Sequence, residues 1–139
     1  MTRIADIMTR SVAAVGRDET LQAAARRMRE MDVGALPVTN GRALAGMVTD
    51  RDITVRGVAE GLVAQEALVA DVMTADVSYC NETDSVEAVM TQMGDAQVRR
   101  LPVLGANGEV VGIVALADLA TRQSTPTDET LREISTPDH

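Results

Sequence analysis

The sequence predicts a mixed α/β (α+β) fold made of two copies of one β-α-β-β-α unit, and three observations predict it. First, the stretch Gly46-Met47-Val48-Thr49-Asp50-Arg51-Asp52-Ile53 returns as Gly112-Ile113-Val114-Ala115-Leu116-Ala117-Asp118-Leu119. Second, Ile7-Met8-Thr9 matches Val72-Met73-Thr74, Val12 matches Val77, Met28 matches Met93, and Val33-Gly34-Ala35-Leu36-Pro37-Val38 matches Val98-Arg99-Arg100-Leu101-Pro102-Val103, all at an offset of 65 residues. The offset becomes 66 only past Ala106-Asn107-Gly108, a turn one residue longer than its counterpart. An insertion confined to a turn, with the register kept on both sides, is what a duplicated folding unit leaves behind. Third, short β-branched runs alternate with stretches whose apolar residues recur at steps of three and four, twice in the same order.

The elements follow in order. Arg3 to Met8 is a short helical lead-in with Ile4, Ile7 and Met8 on its apolar side, and Val12 to Val15 is a short strand. Gly16-Arg17-Asp18-Glu19-Thr20 is a turn with helix-start chemistry. Leu21, Ala24, Ala25, Met28 and Met31 define the buried face of the helix that follows, and Arg26, Arg27, Arg29 and Glu30 define its wet face. After Asp32-Val33-Gly34, Ala35 to Thr39 is a strand whose Pro37 has no N–H to donate and so belongs at a strand start or a sheet edge. Asn40-Gly41 is a hairpin turn, Leu44 to Thr49 the returning strand, and the chain is helical from Asp50 to about Glu60, with Gly61 as its stop. Residues 62–71 are a connector containing a short helix, after which the pattern restarts, giving modules at 1–63 and 64–122. Residues 123–139 are a polar tail, in which Thr127 to Ser135 has the spacing for a short helix around Leu131 and Ile134 that needs a docking surface to form.

Composition narrows the function classes. The chain has 139 residues, a net charge of −8, no Trp, no Phe and one Tyr, and every cation is Arg. Nucleic-acid binding needs a basic face and, for single strands, aromatic platforms, and neither is present. A core of Val, Leu, Ile, Ala and Met buries less area per side chain than an aromatic one, which favours further burial in an oligomer. Cys80 is the single cysteine and His139, the terminal residue, the single histidine, so no intramolecular disulfide, no Cys- or His-based metal centre and no Ser-His-Asp constellation is expected. Tandem Met residues at 28, 31, 90 and 93 fall on helical apolar faces and read as core. No charged-then-apolar leader and no apolar run of membrane-spanning length appears, so a soluble, cytoplasmic protein without membrane contact is expected.

Chemistry concentrates at Thr49 and Asp52. A strand ends in a hydroxyl, and three residues later comes a carboxylate on the first helical turn. That arrangement is close to a capping box, and it also offers a phosphate site beside a carboxylate able to accept both hydrogen bonds of a ribose diol. The second copy keeps Asp118 but has Ala115 in place of the hydroxyl.

Each copy, with its apolar-Pro-Val strand, hairpin and Gly-apolar-apolar-x-x-x-Asp ending, resembles the CBS domain, the module named for cystathionine β-synthase, and the two resemble a complete tandem CBS pair over residues 7 to about 122. The resemblance implies modules packed sheet to sheet about a pseudo-two-fold axis, clefts that bind AMP, ADP, ATP or S-adenosylmethionine, a regulatory role without catalysis, and a homodimer that signals to an effector protein in trans. Carried over residue by residue, it assigns phosphate to Thr49 and ribose to Asp52, with Val12, Val33, Ala35, Leu36 and Pro37 lining the adenine; Arg51 turns to phosphate or pairs with a neighbouring acid. In the second copy it assigns Val77, Leu101, Pro102 and Asp118, with Arg99 and Arg100 reaching phosphate, solvated, or paired across the dimer. The competing reading is a ligand-free interaction or scaffolding pair, and a third is a redox sensor acting through an exposed Cys80.

Overall fold

The computed structural model describes residues 2–10 and 14–123. In chain order its elements are a 3₁₀ turn at Ile4–Asp6, β1 (Thr9–Arg10), β2 (Val15–Gly16), α1 (Leu21–Met31), β3 (Ala35–Asn40), β4 (Ala43–Thr49), α2 (Asp50–Asp52) running into a π-helical segment at Ile53–Val58, a 3₁₀ turn at Val69–Asp71, β5 (Cys80–Asn81), α3 (Val86–Ala96), β6 (Arg100–Leu104), β7 (Val110–Ala115) and α4 (Leu116–Gln123). The mixed α/β class and the duplicated order are as expected. Val12 and the tail that holds Leu131 and Ile134 lie outside the described residues.

The described residues form two compact units, and these do not coincide with the sequence modules 1–63 and 64–122. One, here the Thr49 unit, gathers residues 14–77 and 107–110; the other, the Asp118 unit, gathers 2–10, 78–106 and 111–123. Each lead-in therefore packs in the unit of the other copy. Ile4 N–H donates to the Asp84 carbonyl and Ala5 N–H to Glu82, while Val69 N–H donates to Glu19 and Ala70 N–H to Arg17, at 2.8 to 2.9 Å. The same exchange appears in the sheets. β1 pairs antiparallel with β7, Thr9 opposite Ile113, and Thr74 bridges to Met47 on β4.

This pairing explains the glycine that opens the repeated stretch. A Cβ at Gly112 would lie 2.6 Å from the Thr9 carbonyl oxygen, and one at Gly46 would collide with the Thr74 carbonyl oxygen. Only a residue without a side chain lets the lead-in strand approach so closely.

In the Thr49 unit the sheet order is β2-β3-β4, with β2 parallel and β4 antiparallel to β3. Pro37 thus sits in a central strand, two residues past its start, where a strand start or a sheet edge was expected. It is tolerated because it opposes Met47, whose N–H and C=O are both bonded to Thr74, and because β2 pairs only with Val38 and Thr39. The absent N–H faces a stretch of β3 that no strand covers. The hairpin turns at Gly41, φ +67°, as Asn40-Gly41 predicts. The core is Val15, Leu21, Ala24, Met28, Leu36, Val38, Val48, Val69 and Val72. Ala25 and Met31 are exposed: the buried arc of α1 is narrower than its apolar spacing suggested, and Met31 lies at the helix end, just before the left-handed cap at Asp32.

The Asp118 unit has the order β1-β7-β6-β5 and a core of Ile4, Ile7, Met8, Cys80, Val86, Val89, Met93, Leu101, Val103, Val114 and Leu119. Helix ends repeat in detail between the units. Thr20 and Ser85 accept the N–H of Ala23 and Ala88, and Asp32 and Gln97 both close their helices in the left-handed region, at φ +55° and +57°.

One tie was hidden from the sequence. Arg27, placed on the wet face of α1, folds back: Nη1 donates to the Ala14 carbonyl at 2.7 Å, and Nη1 and Nη2 reach Glu19 at 3.1 and 3.0 Å, while Glu19 also accepts the Gly16 N–H at 2.7 Å. The pair holds the Glu19 carboxyl below its ordinary value and raises the Arg27 guanidinium above its own. The other unit does the same work without an ion pair: the neutral Gln92 donates to the Tyr79 carbonyl at 2.6 Å and Asp84 accepts the Asn81 N–H at 2.9 Å.

Candidate functional site

Strand alternation and register build the candidate site of the Thr49 unit. Leu36 and Val38 point into the core, so Ala35 and Pro37 take the opposite face, and Ala35 lies directly across from Thr49, with Pro37 across from Met47. Ala35, Pro37, Met47 and Thr49 therefore share one face at the end of β4. Leu36, expected to line the adenine, is instead a core residue that supports this face from behind, because the pleat turns it inward. Val33 is exposed just ahead of β3. Met47 was not singled out as a site residue in the sequence, although alternation along β4 places it two residues from Thr49 on the same face; the antiparallel register sets Pro37 opposite it.

At the turn into α2, Thr49 Oγ1 accepts the Asp52 N–H and Asp52 Oδ2 accepts the Thr49 N–H, both at 3.0 Å. The capping box is thus formed. It leaves the Thr49 hydroxyl proton free to be donated and Asp52 Oδ1 without a hydrogen-bond partner among the described residues, so cap and ligand roles are compatible. The turn is pinned to β3 by the Asp50 N–H, which donates to the Gly34 carbonyl at 2.9 Å. Asp50 Oδ1 accepts the Arg51 N–H at 2.8 Å, and the exposed Arg51 guanidinium forms no ion pair among the described residues.

The Asp118 unit repeats the frame with different side chains. Leu116 N–H donates to the Arg99 carbonyl at 2.8 Å, the counterpart of the Asp50 to Gly34 bond. Leu101 is in the core, as Leu36 is, so Arg100 and Pro102 take the face opposite the core. With Ala115 in place of a hydroxyl no capping box forms, and Asp118 is exposed. Arg99 and Arg100 are exposed and form no ion pair among the described residues, and Val77, in the Thr49 unit, is half-buried.

Cys80 is buried, and burial first, then the Asp84 charge, pushes its thiol up to about 12. An exposed redox thiol is therefore not what β5 presents. Among the described residues no group of three or more His, Cys, Asp or Glu side chains is placed to hold a metal ion, and no helix is long and apolar enough to cross a membrane.

Comparison with known proteins matches the family model "CBS domain" twice, over residues 4–57 and 69–125. The chain is 42% identical over 121 residues to Hypoxic response protein 1 of Mycobacterium tuberculosis, covering 86% of this chain and 84% of that one. The crystal structure of that protein, which has two coordinated zinc ions, superposes with a TM-score of 0.78 over 86% of this chain and 97% of its own. Two solved structures under 25% identical share the fold. CBSX2 in complex with AMP has a TM-score of 0.76 at 23% identity, covering 91% of this chain and 98% of its own. The CBS domain pair of protein MJ0100, in complex with 5′-methylthioadenosine and S-adenosylmethionine, has 0.73 at 22%, covering 91% and 99%.

Proposed function

Because the chain belongs to the CBS-domain family and carries the domain twice, we propose that it is a non-catalytic regulatory pair that binds an adenosyl ligand, AMP, ADP, ATP or S-adenosylmethionine, and signals to a partner protein. The observation that carries this reading is the state of the Thr49 turn. Its capping box fixes two side chains rigidly yet leaves a hydroxyl donor and a carboxylate acceptor unspent beside the Ala35 and Pro37 face. A ribose diol matches the free carboxylate oxygen, a phosphate or other tail acceptor matches the hydroxyl, and the apolar strand face suits an adenine ring. AMP and S-adenosylmethionine complexes of two proteins sharing the fold support the ligand class.

Signalling requires a ligand with different affinity for two states of the pair, read by an effector in the cytoplasm. A homodimer is part of the proposal. Val55, Val58, Leu62 and Val63 are 45, 67, 39 and 50% exposed on and just after the π-helical segment, apolar surface that a second copy would cover.

Thermal melting with AMP, ADP, ATP and S-adenosylmethionine, beside Asp52→Ala and Asp118→Ala, tests it. Ligand at about a hundred times its dissociation constant adds roughly 2.7 kcal/mol, a shift of several degrees at this size. A shift lost in Asp52→Ala assigns ribose to the Thr49 unit. No shift with any ligand in folded, nucleotide-free protein leaves the ligand-free interaction pair, the reading that the small residues Ala115, Gly34 and Ala35 favour, as the better account.

A further inference from the structure

The two units carry the same backbone frame and opposite charge around it. In the Thr49 unit the hydrogen bond from Asp50 N–H to the Gly34 carbonyl is flanked by an exposed Asp50, an exposed Arg51 and a half-buried Asp52. The Asp50 carboxylate folds over Gly34, close enough that Oδ2 would lie 3.0 Å from a Cβ there. In the Asp118 unit the equivalent bond, Leu116 N–H to the Arg99 carbonyl, is flanked by Arg99 and Arg100 on the strand side and by Leu116, Ala117 and Asp118 on the helix side. At equivalent positions Asp50 becomes Leu116 and Gly34 becomes Arg99. Around one frame the formal charge is one net negative; around the other it is one net positive.

We propose that the two units sort adenosyl ligands by the charge of the group attached at the ribose 5′ position. The Thr49 unit favours tails that carry no net negative charge, such as a hydroxyl, a thioether or a sulfonium, and the Asp118 unit favours phosphates. This rests on the adenosyl-binding reading above. Asp50 sets the first preference by repulsion: it follows Thr49 directly in the chain and its carboxylate lies over Gly34, at the end of β3 and β4 where Thr49 stands, so each phosphate added to a tail there brings charge towards it. Arg99 and Arg100 set the second, offering guanidinium forks with no competing ion pair among the described residues. A unit charge acting on another across roughly 7 Å in water-like surroundings changes affinity about threefold, so a triphosphate tail accumulates roughly a tenfold effect.

Calorimetric titration with adenosine, AMP, ATP and S-adenosylmethionine tests this, using Asp118→Ala to isolate the Thr49 unit and Asp52→Ala to isolate the Asp118 unit. The expected result is that ATP binds relative to adenosine about tenfold worse in the first variant than in the second. Adding Asp50→Asn to the first variant should raise its ATP-to-adenosine affinity ratio several-fold. Asparagine keeps an Oδ1 to accept the Arg51 N–H, so that change removes charge without removing the bond. Adding Arg99→Gln and Arg100→Gln to the second should lower the ratio. Equal ratios in the two isolating variants overturn the sorting while leaving adenosyl binding intact. No heat and no melting shift with any of the four ligands in wild-type protein overturns both.

Discussion

At Thr49, Asp52, Ala115 and Asp118 the duplication supplies its own control. Thr49→Ala removes one acceptor of a formed capping box, and a loss of about 1 kcal/mol is expected, read as a fall of a few degrees in Tm. The reverse change is more informative. Ala115→Thr places a hydroxyl three residues ahead of Asp118, at the spacing that closes the box in the other unit, and is expected to raise Tm by a few degrees. An unchanged or lowered Tm would show that the exposed Asp118 is held away from the strand end. Cys80 gives a second test at this scale. Its thiol is pushed up to about 12 by burial, so between its ordinary value and about 12 the folded state keeps a proton that the unfolded chain releases. Stability from this source is present at neutral pH and is lost as pH rises through that window. Wild-type protein should therefore lose stability faster on alkalinisation than Cys80→Ala, and thiol reagents at neutral pH should label it only after unfolding.

Among the elements, the segment entering each parallel strand pair is tied to the following helix by unlike chemistry: Arg27 and Glu19 in one unit, Gln92 and Asp84 in the other. Arg27→Gln should be tolerated better than Arg27→Ala, since glutamine retains a donor for the Ala14 carbonyl. The partly exposed ion pair itself is worth roughly 0.2 to 1 kcal/mol. Glu19 is held below its ordinary carboxyl value, so that increment is present above the ordinary value and disappears as pH falls through the lowered one. The Tm gap between wild type and Arg27→Gln should accordingly close in acid. These elements also mark the limit of what was legible in the sequence. The helix start at Thr20 and the Gly41 turn are local chemistry, and local chemistry is written in the chain; the 65-residue register was legible because the unit is repeated. Arg27 reaching Ala14, Pro37 tolerated in a central strand and Ala35 standing opposite Thr49 depend on which segment lies alongside, and no local pattern carries that. Gly46 stood out by its recurrence, but its reason, the Thr74 carbonyl, belongs to a segment 28 residues away. Gly46→Ala is expected to cost about 1 to 3 kcal/mol by overpacking against backbone, visible in denaturant melts.

For the whole molecule, the consequence is that sequence halves and folding units differ. Ile4 is fully buried among Val86, Val89, Met93 and Leu119, and Val69 is fully buried among Leu21, Ala24 and Met28. A truncated lead-in should therefore weaken the unit of the other copy and spare the copy that follows it in sequence. Ile4→Ala should cost about 2 to 5 kcal/mol. By hydrogen exchange its effect should appear first at the amides of α3, β6 and β7 while those of α1 and β3 keep their protection; Val69→Ala should give the opposite map. Were Ile4→Ala instead to expose α1 and β3 first, the lead-in would belong to its own copy, and the close approach that makes Gly46 and Gly112 obligatory would have lost its explanation.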